Sequence, residues 1–453
     1  MALGRGRTDH RPPWRMLFLG LALVRGLLYA ALTPPWQAPD ETGHFEYAWH
    51  IARLGRLPTP ADAHPEFERE LIASLYAWRY GDFLGRPLPD RMPDRMEALP
   101  AGIFARNSRT LISNRFSLAY LWQALFLLPA SHEDLATALY LARVSSVLLN
   151  VLLVGVAWGI FREMGLPEGW AAAATAFLIF WPQHTSINAT VNEGPLAELC
   201  AAFVLWGWAR LLRRGFSAEG VGAVIGGTLL GLWTKNPAAV LAPLSILLAI
   251  GWGGYGVLRG RRTSERLAYL GGALLVLLVL TALTGWTPVG RWMADRIEAM
   301  VEPPPSAPPS YFSVADTLTL TAESLWGRFG WMNVRIGDLW YLIVGLLLLV
   351  ALEGWLLPRS RAWAAPRRMV ILMALFVAAV VAGWAGFAFG TPNGRFYAQG
   401  RYLFPAAIPL AGLVTGGWGR WAPGRTGMVL LLLTWILLDG IAMLRLIHFF
   451  YGG

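Results

Sequence analysis

The stretch LATALYLARVSSVLLNVLLVGVAWGIF, residues 135–161, decides the fold class. Its 27 residues carry a single charge, Arg143. As an α-helix it would be about 40 Å long, more than the roughly 30 Å of hydrocarbon in a bilayer. A helix that is apolar on every side needs an apolar medium around it.

Working outward, similar stretches recur at about 14–33, 169–183, 195–212, 219–234, 237–256, 267–285, 338–357, 369–389, 402–418 and 427–447. With 135–161 they make eleven expected spans. The expected fold is therefore all-α: a polytopic membrane protein whose first outer loop forms amphipathic surface helices. Composition agrees. Of 453 residues, 55% are hydrophobic and 15% charged, against about 25% charged in an ordinary soluble domain. This excludes a disordered chain and a nucleic-acid-binding domain. The net charge of +10 belongs instead to basic loops of a membrane protein. One cysteine, Cys200, excludes an intramolecular disulfide and a cysteine metal cluster.

Sidedness turns on Phe116–Pro129, an apolar run of 14 residues, about 21 Å as a helix. If it does not cross, the basic clusters at 5–15, 210–214, 259–266, 359–368 and 420–425 all fall on one side. If it crosses, the later ones move opposite the N-terminus. The positive-inside rule favours a helix lying at the outer surface. The expectation is a multi-pass protein of the cell membrane with a cytoplasmic N-terminus. The first apolar run lacks a small-residue cleavage site and is read as a retained span. Trp14, Trp36, Trp170, Trp181, Trp252, Trp286, Trp355 and Trp418 fall near expected span ends, where amphipathic rings anchor at the interface. Two parts are expected. Residues 1–285 form a first transmembrane module that includes the outer loop 34–134, and 286–453 form a C-terminal transmembrane region with a proline-rich outer loop, 286–337.

Within the first outer loop, Phe45, Ala48, Trp49 and Ala52 mark one helix over Asp40–Leu54. Phe67, Leu71, Leu75 and Trp78 mark another over Glu66–Phe83, both at helical spacing. The first begins with Pro39-Asp40-Glu41-Thr42-Gly43-His44. Two carboxylates at a helix start are favoured by the dipole, with His44 one turn on. The motif suits proton transfer at the membrane–water boundary, and it equally suits a helix-capping charge pair. After the third span, Pro182–Gly194 holds His184, Asn192 and Glu193, its only acidic residue. Glu193 fits either a second acidic site or another helix-start carboxylate.

The basic residues are 37 arginines and one lysine, Lys235, in Thr234-Lys235-Asn236 at the expected outer end of the fifth span. A lone lysine suggests that a compact ammonium is required there, although a cation snorkelling at a span end would serve as well. Arg401, in Gln399-Gly400-Arg401-Tyr402, starts the tenth span from the same side. Two cations at that depth suit a lipid-linked phosphate or pyrophosphate. Arg25 and Arg143 lie inside spans and should face the bundle interior.

Taken together, the acidic pair after the first span, the acidic site after the third, the Thr-Lys and the late Gln-Gly-Arg-Tyr resemble the GT-C superfamily. These are polytopic glycosyltransferases that use polyprenyl-phosphate or polyprenyl-pyrophosphate sugars. More closely, Pro39-Asp40-Glu41 with His44, and Gln399-Gly400-Arg401-Tyr402-Leu403 with Pro405, look like an uncharacterised bacterial membrane family placed near that superfamily. The resemblance implies that residues 1–285 are the catalytic module. It implies roles for Asp40 as base, Glu41 as its neighbour and Glu193 as the second acidic residue. His44, His184, Asn192, Lys235, Arg401 and Tyr402 are then expected to bind substrate. Some members bind a divalent metal (Mg or Mn), for which Asp40 and Glu193 would be the ligands. The sequence departs from the pattern at Asn192-Glu193, where an aspartate is commoner. Nothing resembles a sequon-binding motif, so transfer to peptide asparagine is not expected.

The resulting expectation is transfer of a sugar from a polyprenyl-phosphate donor to a hydroxyl of a glycan, lipid or protein acceptor, with inversion, on the extracytoplasmic face. It serves cell-envelope glycan biosynthesis and needs no nucleic acid. No P-loop or dinucleotide fingerprint is present. The rival from another class is a transporter or flippase for a lipid-linked saccharide, which would need charges along a path through the bilayer. A non-catalytic membrane scaffold is the other.

Overall fold

The computed structural model describes residues 14–107, 116–130, 134–260, 262–286, 313–356, 365–390 and 398–452. The chain is helical almost throughout. The first helices are α1 (Trp14–Leu32), α2 (Glu41–Leu54), α3 (Pro65–Ala77), α4 (Tyr80–Phe83), α5 (Phe104–Asn107) and α6 (Leu118–Leu127). The long α7 (Leu135–Glu163) follows, then α8 (Glu168–Ile179), the short α9 (Pro182–Ile187), α10 (Gly194–Arg214) and α11 (Ala218–Leu232). Next come α12 (Leu241–Arg259), α13 (Thr263–Trp286), α14 (Val314–Trp326), α15 (Asp338–Leu356), α16 (Arg367–Gly390), α17 (Ala407–Trp421) and α18 (Arg425–Tyr451). The strand pairing among the described residues is small: Arg328–Phe329 antiparallel to Val334–Arg335.

Eight of these helices are long and apolar enough to cross a membrane, so the chain is an all-α polytopic membrane protein. Each of the eleven expected spans is a helix, but α8, α11 and α17 have only 12, 15 and 15 residues. At 1.5 Å per residue they reach about 18–23 Å. The remainder is taken up by turns of other kinds: α9 after α8, a 3₁₀ turn over Asn236–Val240 after α11, and another over Gly400–Ala406 before α17. Segment 116–129 forms α6, of ten residues. Its exposed stripe is Leu121, Leu125 and Leu128, whereas Tyr120, Gln123, Ala124 and Leu127 are buried. That helix is about 15 Å long and turns one apolar face outward. The proline-rich segment within 286–337 falls outside the described residues over 287–312.

Helix pairing is antiparallel between sequence neighbours: α10 with α11 and α12 with α13 pack along their lengths, and α1 packs on α7. α15 and α17 touch backbone to backbone. A Cβ on Gly354 would lie 2.0 Å from Gly417 O, and one on Gly417 the same distance from Ala351 O. Small residues give this closeness where lipid supplies no hydrophobic drive to pack.

Two cores result. The larger runs through the bundle and joins Tyr29, Phe161, Phe177 and Trp181 to Trp326, Phe404 and Trp435, so it crosses position 285 without a break. The second lies under the first loop, where Trp36, Phe45, Phe67, Leu71, Leu75 and Tyr80 pack with Tyr120, Leu139 and Ala142. The helix expected over 66–83 breaks after Ala77, at Trp78 and Arg79; Arg79 has φ +52. α2 was expected to rest on the bilayer, but Glu41, Thr42, Phe45, Glu46, Tyr47, Ala48 and His50 are all buried, because α6 covers it. Several tryptophans expected at the interface are core residues instead. Trp36 and Trp181 are fully buried, their indole N–H groups donating to Ser74 Oγ and Leu325 O at 2.8 and 2.7 Å. Buried indoles need such partners.

Candidate functional site

At one end of the bundle the start of α2, the middle of α6, the starts of α7 and α10, and the two 3₁₀ turns converge. α1 ends at Leu32, and the chain reaches α2 through a buried turn, Thr33–Pro39. Arg143, on α7, fixes that turn. It is fully buried and donates to Ala30 O, Thr33 O and Pro34 O at 2.8, 2.5 and 3.1 Å. Its Nε and Nη2 hold Glu41 Oε1 and Oε2 at 2.8 and 2.6 Å. Val191 N also donates to Glu41, at 3.1 Å. The carboxylate assigned to catalysis by the resemblance is thus a fully buried brace between α2, α7 and the loop before α10.

Asp40 is arranged differently. It is the N-cap residue of α2, in the left-handed conformation with φ +63, and its side chain makes no capping hydrogen bond. A non-glycine residue there carries backbone strain, least for Asp and Asn. The carboxylate is 42% exposed and accepts from Arg401 Nη2. Arg401 is nearly buried, also donates to Pro39 O at 3.2 Å, and has no partner for its Nε among the described residues. It stands where it does because Gly400 passes against α14: a Cβ at 400 would be 2.2 Å from Leu325 N. Gly400 N donates to Ser324 Oγ at 2.8 Å. Behind Arg401, among Pro39, Gln183, Ser324, Arg328 and Gln399, is a polar cavity of about 10 Å³, the size of one water.

His44 lies one turn along α2, half-buried, with Nδ1 2.8 Å from Tyr120 Oη. Tyr120 in turn donates to Glu193 Oε1 at 3.1 Å. Glu193 occupies the N-cap position of α10 without capping it. Asn192 does that work, its Oδ1 accepting from Gly194 N at 2.6 Å. Asn192 Nδ2 donates to Ile187 O and Thr190 O, so the expected substrate ligand is spent on its own loop. His184 is also fully buried, beneath the cluster. Its Nε2 is 2.7 Å from Glu198 Oε2 and its ring stacks on Trp181.

Lys235 follows α11 in a turn that α6 holds in place, Leu118 N donating to Trp233 O and Ser117 Oγ to Thr234 O. It is half-buried and forms no ion pair among the described residues. Its Nζ lies 5.5 Å from the Tyr402 ring centroid, and Arg401 is at the same distance. The start of α10 is near, at 3.8 Å from a Cβ built on Gly194. Burial lowers the Lys235 ammonium to about 8. Arg401 adds to the fall, and Glu193, Glu198 and Asp40 oppose it. The His44 imidazole is lowered to about 3, first by burial, then by Arg401 and Lys235, with Asp40 opposing. These couplings put Asp40, His44, Glu193, Lys235, Arg401 and Tyr402 in one electrostatic neighbourhood.

Sequence reasoning did not single out Tyr120, Gln123 or Glu198. A signal existed for the first two: polar residues three apart on an otherwise apolar helix share a face, and that face meets α2 and the Asn192 carbonyl, to which Gln123 Nε2 donates at 2.8 Å. The residues present do not fit a divalent cation. Asp40 is paired with Arg401, Glu193 accepts from Tyr120, and both lie in the field of Lys235. Among the described residues no group of three His, Cys, Asp or Glu side chains is placed to hold a metal ion.

Residues 23–410 match the family described as "Predicted membrane protein (DUF2142)". The match covers most of the chain, and the protein belongs to that family. No curated protein and no solved structure matches it.

Proposed function

We propose that this family member is a membrane glycosyltransferase, moving a sugar from a polyprenyl-phosphate or pyrophosphate donor to an acceptor hydroxyl on the extracytoplasmic face. One observation carries the reading. The only lysine of the chain is half-buried without an ion pair among the described residues, beside a second cation, Arg401, and the start of a 21-residue helix. An ammonium, a guanidinium and a positive helix end together draw an anion of phosphate type. Asp40, a part-exposed carboxylate, borders the same place.

In the proposed reaction Lys235 and Arg401 hold the donor phosphate. Asp40 takes the proton of the acceptor hydroxyl as that oxygen bonds to the anomeric carbon. The bond from that carbon to the phosphate oxygen breaks, and its electron pair leaves on the phosphate, stabilised by the two cations. A single displacement inverts the anomeric centre. Arg401 now pairs with Asp40, which weakens the carboxylate as a base. An incoming phosphate competes for the same guanidinium, so capture of the donor frees the base.

A flippase would use charges along a transbilayer path. Two arginines within the N-terminal spans are committed, Arg25 to Asp439 and Arg143 to Glu41, which favours chemistry at one end. The test is transfer of a labelled sugar from a polyprenyl-phosphate donor. Asp40→Asn keeps shape and tolerates the left-handed conformation, and it should lower the rate by roughly 10²–10⁴ while donor binding and thermal stability are retained. A fully active Asp40→Asn protein would overturn the assignment of the base.

A further inference from the structure

The mechanism above leaves one hydrogen-bonded chain unused: Glu193, Tyr120, His44. A phenol has one proton, and Tyr120 gives it to Glu193 Oε1. With Glu193 as a carboxylate, the 2.8 Å contact between Tyr120 Oη and His44 Nδ1 takes its proton from the imidazole. A neutral imidazole has one N–H. With that proton on Nδ1, Nε2 is left as an acceptor. Desolvation, with Arg401 and Lys235 nearby, disfavours the charged ring. Among the described residues no protein group bonds to His44 Nε2, and the residue is partly exposed, so a ligand hydroxyl is the partner this atom can take. His44 stands one turn from Asp40 on the same face of α2.

We propose that His44 is a substrate-contacting residue whose Nε2 accepts a hydrogen bond from a sugar or acceptor hydroxyl, and that Glu193 and Tyr120 are positioning residues that fix its tautomer. The role of the hydroxyl in transfer rests on the reading above; the tautomer does not. A fixed acceptor selects an O–H and rejects an ether or a carboxylate at the same point, because either would face a lone pair with a lone pair. The arrangement also gives Glu193 work without a metal: it orients His44 through Tyr120 while remaining next to Lys235.

Two measurements test this. The first is magic-angle-spinning NMR of protein carrying ¹⁵N-histidine, with His44→Asn used to assign the signal. At neutral pH the His44 resonances should be those of the Nδ1–H tautomer, and Tyr120→Phe should convert them to a mixture. An Nε2–H ring in the wild type would overturn the proposal, whatever the protein catalyses. The second uses His44→Asn itself. Its amide nitrogen replaces Nδ1 toward Tyr120, and nothing replaces Nε2, so the fold should hold by thermal unfolding. With a radiolabelled polyprenyl-phosphate sugar, a donor hydroxyl at His44 predicts about a tenfold loss of donor affinity. An acceptor hydroxyl predicts unchanged donor affinity and about a tenfold rise in acceptor KM. A folded His44→Asn protein unchanged in both would overturn the proposal. A wild type that binds the donor and transfers nothing would sink the transferase reading alone, leaving the tautomer and the donor-affinity arm to decide His44.

Discussion

Lys235 has to hold its charge in a place that opposes it. Burial and Arg401 lower it to about 8, so near pH 7 it is mostly protonated, and it loses its charge as pH rises through 8. The expected outcome is that donor affinity, measured with a labelled polyprenyl phosphate, falls across that interval, and that Lys235→Arg moves the fall to much higher pH because a guanidinium stays charged. Unfolding does not mimic this. Because the folded value lies below the ordinary one, the unfolded chain binds more protons between about 8 and 10.5, and stability rises with pH there. Lys235→Met should cost roughly tenfold to a hundredfold in affinity at neutral pH, the weight of one charge-assisted hydrogen bond. An affinity independent of pH and unchanged in Lys235→Met would return this residue to a cation snorkelling at a span end.

At the scale of elements, neighbouring carboxylates on one helix start have separate duties. Asp40 faces outward in a strained left-handed conformation, while Glu41, the next residue, is enclosed by Arg143 and the Val191 amide. A buried pair that loses one partner leaves an uncompensated charge, at a cost of about 3–5 kcal/mol. Glu41→Ala should therefore lower the thermal unfolding temperature strongly in detergent, whereas Asp40→Asn should leave it near the wild type. Equal melting of the two variants would show that the Arg143 brace contributes little. The adjacency Asp40-Glu41 is visible in the sequence, but not which of the two turns inward. That depends on Arg143, 102 residues away, and on the left-handed turn at Asp40 that swings the two side chains apart.

For the molecule as a whole, the site end and the arginine-rich end are opposite. Arg213 and Arg214, at the end of α10, bond to the end of α7 at Arg162 and Glu163, far along both helices from Arg143 and Glu193. The positive-inside rule predicts that the arginine end faces the cytoplasm. In a Cys200→Ser background, Ala61→Cys should react with an impermeant thiol reagent in intact cells and Arg262→Cys should not; both positions are exposed in the fold. Labelling at 262 with none at 61 would reverse the orientation. Residue 190 cannot serve as a reporter, since Thr190 is buried.

Fold class and the positions of the apolar helices follow from the sequence alone, because hydropathy over some twenty residues is a local property that lipid enforces wherever the segment packs. The residues of the cluster were also legible as types: an acidic pair, a lone lysine, a late arginine. Their division of labour was not. That Asp40 meets Arg401 across 361 residues, that Asn192 and His184 are consumed by their own surroundings, and that Tyr120 joins His44 to Glu193 depend on which helix faces which. Lipid is as apolar as the helix faces themselves, so hydrophobicity does not choose the pairings. They are decided by close approach at small residues such as Gly400 and by buried polar partners that must find one another, and only the tertiary structure holds both.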